Sequence, residues 1–196
     1  MSILTLDLSL SRVGFSKFSK NGSLLEKGTI TPKEDLPNTA KICYIIDQLK
    51  PKYVKVDNVV IEDVYYGGNS KTLIWLARLG GAVAYSWFEY SYKIPLWMTA
   101  VHARSLVDGI KGNSKKPEIQ CFILEKYEML SKESIAGYKS QITKLKNAYK
   151  SKEITKYKLA SGLEKVSTNI EHVTGLSNDE SDAIVLGLAF QEEYKD

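Results

Sequence analysis

Apolar and polar positions alternate along the first thirty residues, and the alternation breaks into three runs. Ile3-Leu4-Thr5-Leu6-Asp7 reads as a strand that closes on a carboxylate, and Val13-Gly14-Phe15-Ser16-Lys17-Phe18 continues the pattern. Asn21-Gly22 supplies the dipeptide favoured in tight hairpins, so Leu24 to Ile30 is expected as the third strand of an antiparallel meander. From Thr39 the apolar spacing lengthens to that of a helix (Ile42, Ile45, Ile46, Leu49), which Pro51 ends. Val56 to Glu62 predicts a short buried strand that again finishes on a carboxylate. A loop then leads into a strongly apolar helix from about Lys71 to Tyr92, whose Gly80, Gly81, Ala82 and Ala84 would let another backbone come close. Ile94 to Met98 reads as one more strand, and residues 99–112 as a short helix closing on a glycine-containing turn. Pro117 suits the first turn of the helix after it. Ser177-Asn178-Asp179-Glu180 has the form of a capping box for a last helix running to about Gln191. Hairpins first and alternating helices and strands afterwards predict an α/β protein, a mixed central sheet with helices on both faces.

Three acidic positions share a placement in this scheme. Asp7 ends the first strand, Glu62 ends the central one, and Asp179 and Asp182 lie in the first turn of the last helix, on one face of it. Ends of strands are where sites collect in α/β sheets. Taken singly, each has a plainer reading. An Asp after a strand is commonly a turn residue, and Asp179 could serve only the helix dipole. Glu62 is harder to dismiss, because a carboxylate closing Val59-Val60-Ile61 is costly without a partner. Together they match a demand of phosphodiester hydrolysis. Two divalent ions about 3.5–4 Å apart can activate water and support the leaving oxygen. Hard cations such as Mg²⁺ take oxygen ligands, so carboxylates suffice and no His or Cys is required.

Composition narrows the choice. The chain has 196 residues, 43% of them hydrophobic, which suits one sizeable core. The net charge of +4 permits a polyanionic partner without demanding one. The start, MSILTLDLSL, lacks the features of a signal peptide, and no apolar run approaches the roughly 18 residues of a membrane span. Cys43 and Cys121 stand alone and read as buried small side chains, so neither a disulfide framework nor a zinc cluster is expected. A reducing, cytoplasmic setting with no membrane partner fits these features. His102 and His172 lack metal-ligand spacing. Gly67-Gly68-Asn69-Ser70-Lys71-Thr72 only faintly resembles a phosphate loop and lacks the glycine before Lys71, which argues against a nucleotide-binding ATPase.

The order and flanks of these motifs resemble the RuvC-type Holliday junction resolvases. Ile3-Leu4-Thr5-Leu6-Asp7 followed by Gly14 is similar to that family's first acidic motif, and Val60-Ile61-Glu62-Asp63-Val64-Tyr65 to its second. Asn69-Ser70-Lys71 to Arg78-Leu79-Gly80-Gly81-Ala82 resembles its long helix, which in the family packs against its mate in a homodimer. Gly109 to Gly112 with Lys115-Lys116 resembles its basic stretch, and Asn178-Asp179-Glu180-Ser181-Asp182-Ala183 its terminal D-x-x-D-A motif. The resemblance implies a ribonuclease H-like fold and an endonuclease that resolves four-way DNA junctions by paired, symmetric nicks. It implies that Asp7, Glu62, Asp179 and Asp182 bind two Mg²⁺ ions, with Mn²⁺ a substitute, and that Lys116 approaches the scissile phosphate. Tyr65 would stack on or wedge between bases at the branch point. Tyr66, Asn69, Lys71, Arg104, Lys111 and Lys115 would complete the DNA contacts.

The chain also departs from that pattern. Leu8-Ser9 follows Asp7 where the family usually has Pro-Gly, and the segment between Cys121 and Thr174 is longer than the family's. Within it, lysines interleave with Ile135, Tyr138, Ile142, Leu145 and Tyr149 at helical spacing. This predicts an amphipathic helix docked on the body, part of a lysine-rich helical insertion at about 131–170 within a single 1–196 nuclease domain. Outward lysines suit a DNA backbone, although a merely solvated face has the same look. Such divergence suits a phage-encoded member. Two other functions stay open: a broader nuclease for forks, flaps and three-way junctions, and a junction-binding protein without catalysis.

Overall fold

The computed structural model describes residues 1–64 and 70–194. Strands β1 (Ile3–Asp7), β2 (Val13–Phe18) and β3 (Leu24–Ile30) form an antiparallel meander. Strands β4 (Asn58–Glu62) and β5 (Leu96–Met98) extend it in parallel from the β1 side, giving the order β3-β2-β1-β4-β5. The mixed sheet expected from the alternation is therefore present.

Both faces of the sheet are covered. Leu4, Leu6, Val59 and Ile61 point to one side, into a core with Leu79, Val83 and Trp87. The last three belong to α2 (Ser70–Ser91), which packs beside α1 (Asn38–Leu49). Ile3 and Val60, one step out of phase, point to the other side. There α7 (Asn178–Glu193) lies against β1 and β2, flanked by α3 (Ala100–Leu106) and α4 (Lys116–Lys126). Period-two alternation thus sorts each strand between two cores, and it places Asp7, in phase with Ile3 and Thr5, on the α7 side.

The lysine-rich segment is a pair of helices, α5 (Lys132–Lys150) and α6 (Lys156–Thr174), packed on each other and on α4. Ile135 and Ile142 of α5 are buried as the spacing required, and Leu163, Val166 and Ile170 give α6 its own inward stripe. Two of the lysines on α5 make ion pairs with α4 while staying open to solvent, Lys139 with Glu125 and Lys146 with Glu118, both at 2.6 Å.

Two local expectations are corrected. Asn21-Gly22 does not form a two-residue turn. Only Gly22 has positive φ (+83°), and a longer loop closes through Gly22 N–H to the Ser19 carbonyl (3.1 Å). A tight Asn-Gly turn needs positive φ at both residues. Residues 99–112, by contrast, form the short helix and glycine-containing turn expected of them: the helix ends at Leu106, and the chain then turns through Gly109 (φ +89°). Cys43 is exposed on α1, while Cys121 is buried as expected. A cysteine at the edge of an amphipathic stripe can fall on either side of it.

Candidate active site

Parallel pairing fixes the first two acids. Thr5 lies beside Val60 and Leu6 beside Ile61, so the next step of the same register puts Asp7 beside Glu62 at the C-terminal end of both strands. Helix α7 supplies the other two from above. Its start is set by the expected capping box: the Ser177 hydroxyl accepts from the Glu180 N–H (3.1 Å), and the Glu180 carboxylate accepts from the Ser177 N–H (2.8 Å). Glu180 also pairs with Lys27 at 3.2 Å. Glu180 is thereby committed to the cap, which leaves Asp179 and Asp182 for the site.

Two devices hold α7 in register over β1. The buried hydroxyls of Thr5 and Ser16 both donate to the Ala183 carbonyl, at 2.6 and 3.0 Å. Gly14, the cross-strand partner of Asp7, meets the backbone of Asp179, and a Cβ there would lie 2.0 Å from the Asp179 carbonyl oxygen. No side chain but hydrogen fits in that space, so the glycine is what lets the start of α7 reach Asp7.

The helix acids lie close enough to affect the ionisation of the two strand acids. Asp7 is pushed up from its usual range to about 8, first by burial and then by Glu62, Asp182 and Asp179, with Lys116 opposing. Glu62 is pushed up to about 7, again mostly by burial, with Asp182 adding to the shift and Arg104 and Lys116 reducing it. Lys116, on the first turn of α4, is near enough to lower both.

The helix acids are neutralised differently. Arg104 donates to Asp182 at 2.8 Å. The Arg12 Nε donates to Asp179, while its Nη1 reaches Glu171 of α6 at 2.9 Å. With these rotamers, no three acidic, His or Cys side chains among the described residues are gathered tightly enough to hold one ion. Each arginine engages one carboxylate oxygen of its partner. The donor chemistry nevertheless fits a hard divalent cation: four carboxylates converge, and Asp7 and Glu62 make no side-chain hydrogen bond among the described residues.

Of the basic residues expected at the site, Arg104 and Lys116 are brought to the carboxylates. Lys115 caps α4 at its edge, and Lys111 lies further along, exposed in the preceding loop. Lys71 is exposed in the first turn of α2. Tyr65, Tyr66 and Asn69 fall outside the described residues. Sequence pattern does not point to Arg12 or Glu171. An arginine in a loop carries no periodic signal, and its partner Asp179 is 167 residues away. The insertion is also wired to the site. Ser167 of α6 lies 2.8 Å from Gln120 and 2.7 Å from Asn178, and Gln120 donates to the Leu176 carbonyl at 3.0 Å.

The family model for crossover junction endodeoxyribonuclease RuvC matches residues 3–136. Among curated proteins, the crossover junction endodeoxyribonuclease RuvC of Campylobacter curvus is 28% identical over 141 residues, 68% of this chain and 85% of that protein. Its counterpart in Aliarcobacter butzleri is 34% identical over 89 residues, 43% of this chain and 57% of that protein, so the chain spans little more than half of it. Among solved structures, RuvC of T. thermophilus in complex with Holliday junction substrate superposes with a TM-score of 0.58 at 11% identity, covering 98% of this chain and 93% of that one. Thermus thermophilus RuvC alone gives 0.50 at 15% identity, covering 64% and 79%. At such identities the superpositions establish the fold, which is ribonuclease H-like.

Proposed function

Because residues 3–136 match its model, the chain belongs to the crossover junction endodeoxyribonuclease RuvC family, and we propose that it resolves four-way DNA junctions by paired, symmetric nicks. One observation carries the assignment of the site: Asp7, Glu62, Asp179 and Asp182, from three separate elements, converge at one end of the sheet with Lys116 beside them.

Asp7, Glu62, Asp179 and Asp182 would hold two Mg²⁺ ions, with Mn²⁺ a substitute, after Arg12 and Arg104 release the helix acids. Bound there, the ions supply an activated water and offset charge at phosphorus and at the leaving oxygen. The protein's own groups do the rest. Asp7 and Glu62 give up their protons, which burial and mutual repulsion otherwise retain. Lys116 offsets charge developing on the scissile phosphate. Arg104, once free of Asp182, and the exposed Lys71, Lys111 and Lys115 contact backbone phosphates. Tyr65, Tyr66 and Asn69, which come after Glu62 in the sequence, would meet unpaired bases at the branch. Cleavage leaves a 5′-phosphate and a 3′-hydroxyl.

Two nicks need two sites, which a two-fold homodimer supplies. Helix α2 offers the face for it: Ile74, Tyr85 and Phe88 are exposed on one stripe, and Gly81 between them has open space above it. Residues 1–196 act in this reading as one nuclease domain that includes α5 and α6, working in the cytoplasm of a bacterium or of a phage's host. No helix among the described residues is long and apolar enough to cross a membrane.

The test is cleavage of an end-labelled four-way junction beside matched duplex, flap and fork, with Mg²⁺ and with EDTA. Metal-dependent, symmetric nicks confined to the junction are expected. Equal cutting of all branched forms would replace the resolvase by a general debranching nuclease. Tight binding without cutting would leave a junction-binding protein.

A further inference from the structure

Beside the carboxylates, helices α4 and α6 enclose a groove of about 410 Å³. Its floor is apolar, made by Pro117, Leu159 and Leu163, with Lys115, Lys116 and Lys156 at its edge. Two of its lining residues adjoin the candidate active site. Lys116 is near enough to Asp7 and Glu62 to act on their charge, and Asn178 immediately precedes Asp179. One wall is α6, which lies beyond the residues matched by the family model.

Resting on the nuclease reading above, we propose that this groove is a base-binding subsite, which receives one unpaired nucleotide flanking the scissile phosphate. Charge and shape both point to that occupant. A deoxynucleotide presents an apolar base face and an anionic phosphate, and the groove presents an apolar floor bordered by three lysines. A volume of about 410 Å³ admits a small ring system and no duplex. Branched DNA supplies unpaired or easily unpaired bases at its crossover, where extrusion costs least. Glu164 also lines the groove. It can accept from an exocyclic amino group, as acidic side chains do from cytosine, and it repels the carbonyl that thymine presents there. The insertion thus gives the nuclease a means to select sequence at the cut.

The experiment uses 2-aminopurine placed singly at each position within two nucleotides of the cleavage site of a four-way junction. The junction is bound to full-length Asp7→Asn protein, so that it stays uncut. Emission should rise severalfold at one position only, because the probe leaves its stack for a groove without aromatic rings. Ala160→Trp, which fills the groove from an exposed position, should abolish that rise while junction affinity and melting temperature hold. Ala160→Glu, which adds charge from the same exposed position without aromatic bulk, should do the same. In the wild-type background, cytosine at that position should be cut faster than thymine, and Glu164→Gln should narrow the difference. A bound junction whose probes are indifferent at every position, or a rise that both variants leave intact, would overturn the subsite. Failure of the protein to bind junctions at all would overturn the nuclease reading, and the subsite with it.

Discussion

The four acids fall into two regions that solve the same electrostatic difficulty by different means. At the strand ends, Asp7 and Glu62 have no basic partner in contact among the described residues and hold their protons to about pH 8 and 7. At the start of α7, Asp179 and Asp182 are paired with Arg12 and Arg104. Protonation keeps the strand pair compact without a cation, and arginine does so for the helix pair. A divalent ion can substitute for both. The strand pair is thus a standing demand for positive charge, whereas the helix pair is already satisfied and must be released.

The strand pair should matter most when it is removed. Asp7→Asn or Glu62→Gln is expected to cut junction cleavage by about a thousandfold, the order seen when one preorganised electrostatic group is lost, with junction binding retained. Gel-shift and single-turnover cleavage on the same preparations separate the two. Loss of binding along with cleavage would make the strand acids structural.

Contact between the two regions runs through Gly14. Gly14→Ala puts a methyl 2.0 Å from the Asp179 carbonyl oxygen, so α7 must move off β2. A destabilisation of about 1–3 kcal/mol is expected, as for overpacking elsewhere, together with a loss of cleavage larger than the loss of folded protein. Gly81→Ala, where nothing lies within 4 Å, is the control and should raise monomer stability in chemical denaturation by about 0.5–1 kcal/mol through helix propensity.

Much of this site is legible in the order of residues alone. Strand ends carry Asp7 and Glu62 because period-two alternation fixes both where a strand stops and which face its last residue takes. The capping box sets the start of α7, and with it the phase of Asp179 and Asp182. What pattern does not encode is the partner of a side chain far away in sequence. Arg12 meets Asp179 and Glu171 across more than 150 residues, and the packing of Gly14 on α7 is equally remote. The second insertion helix does not stand out as a separate element because its stripe of Leu163, Val166 and Ile170 is diluted by polar neighbours. The family match ends at residue 136, before α7, so Asp179 and Asp182 rest on the resemblance of their motif and on geometry. The Asn21-Gly22 turn fails for a local reason, since a longer loop lets Asn21 avoid positive φ.

The protonated strand pair also predicts how stability follows pH. Asp7 and Glu62 have pKa values raised from 3.8 and 4.5 to about 8 and about 7, so the folded state binds protons that the unfolded state has lost. Stability from these two groups is whole below about pH 4 and falls progressively until pH passes about 8. Metal-free protein should therefore melt lower at pH 8.5 than at pH 6.5. Asp7→Asn should recover about 3–6 °C at the higher pH, equivalent to about 1–2 kcal/mol, and less at the lower. Mg²⁺ should raise the wild-type melting point more at pH 8.5 than at 6.5. A pH-independent Mg²⁺ effect would sever the strand pair from metal binding.

The helix pair offers the finest test, through Glu171. Arg12 is shared between Asp179, which an ion needs, and Glu171, which it does not. Glu171 thus competes for the arginine and favours release of Asp179. In Glu171→Gln that competition weakens, and Arg12 stays on Asp179. Both side chains of the Arg12–Glu171 pair are about one-third exposed, so the pair is worth no more than about 1 kcal/mol. Calorimetric affinity for Mn²⁺ should consequently fall by about fivefold at most, and Arg12→Gln, which frees Asp179 outright, should raise it. Opposite signs for these two variants are the informative result. Equal falls in both would mean that Arg12 supports the metal-bound arrangement, and that the helix pair, like the strand pair, is built to wait for the ion.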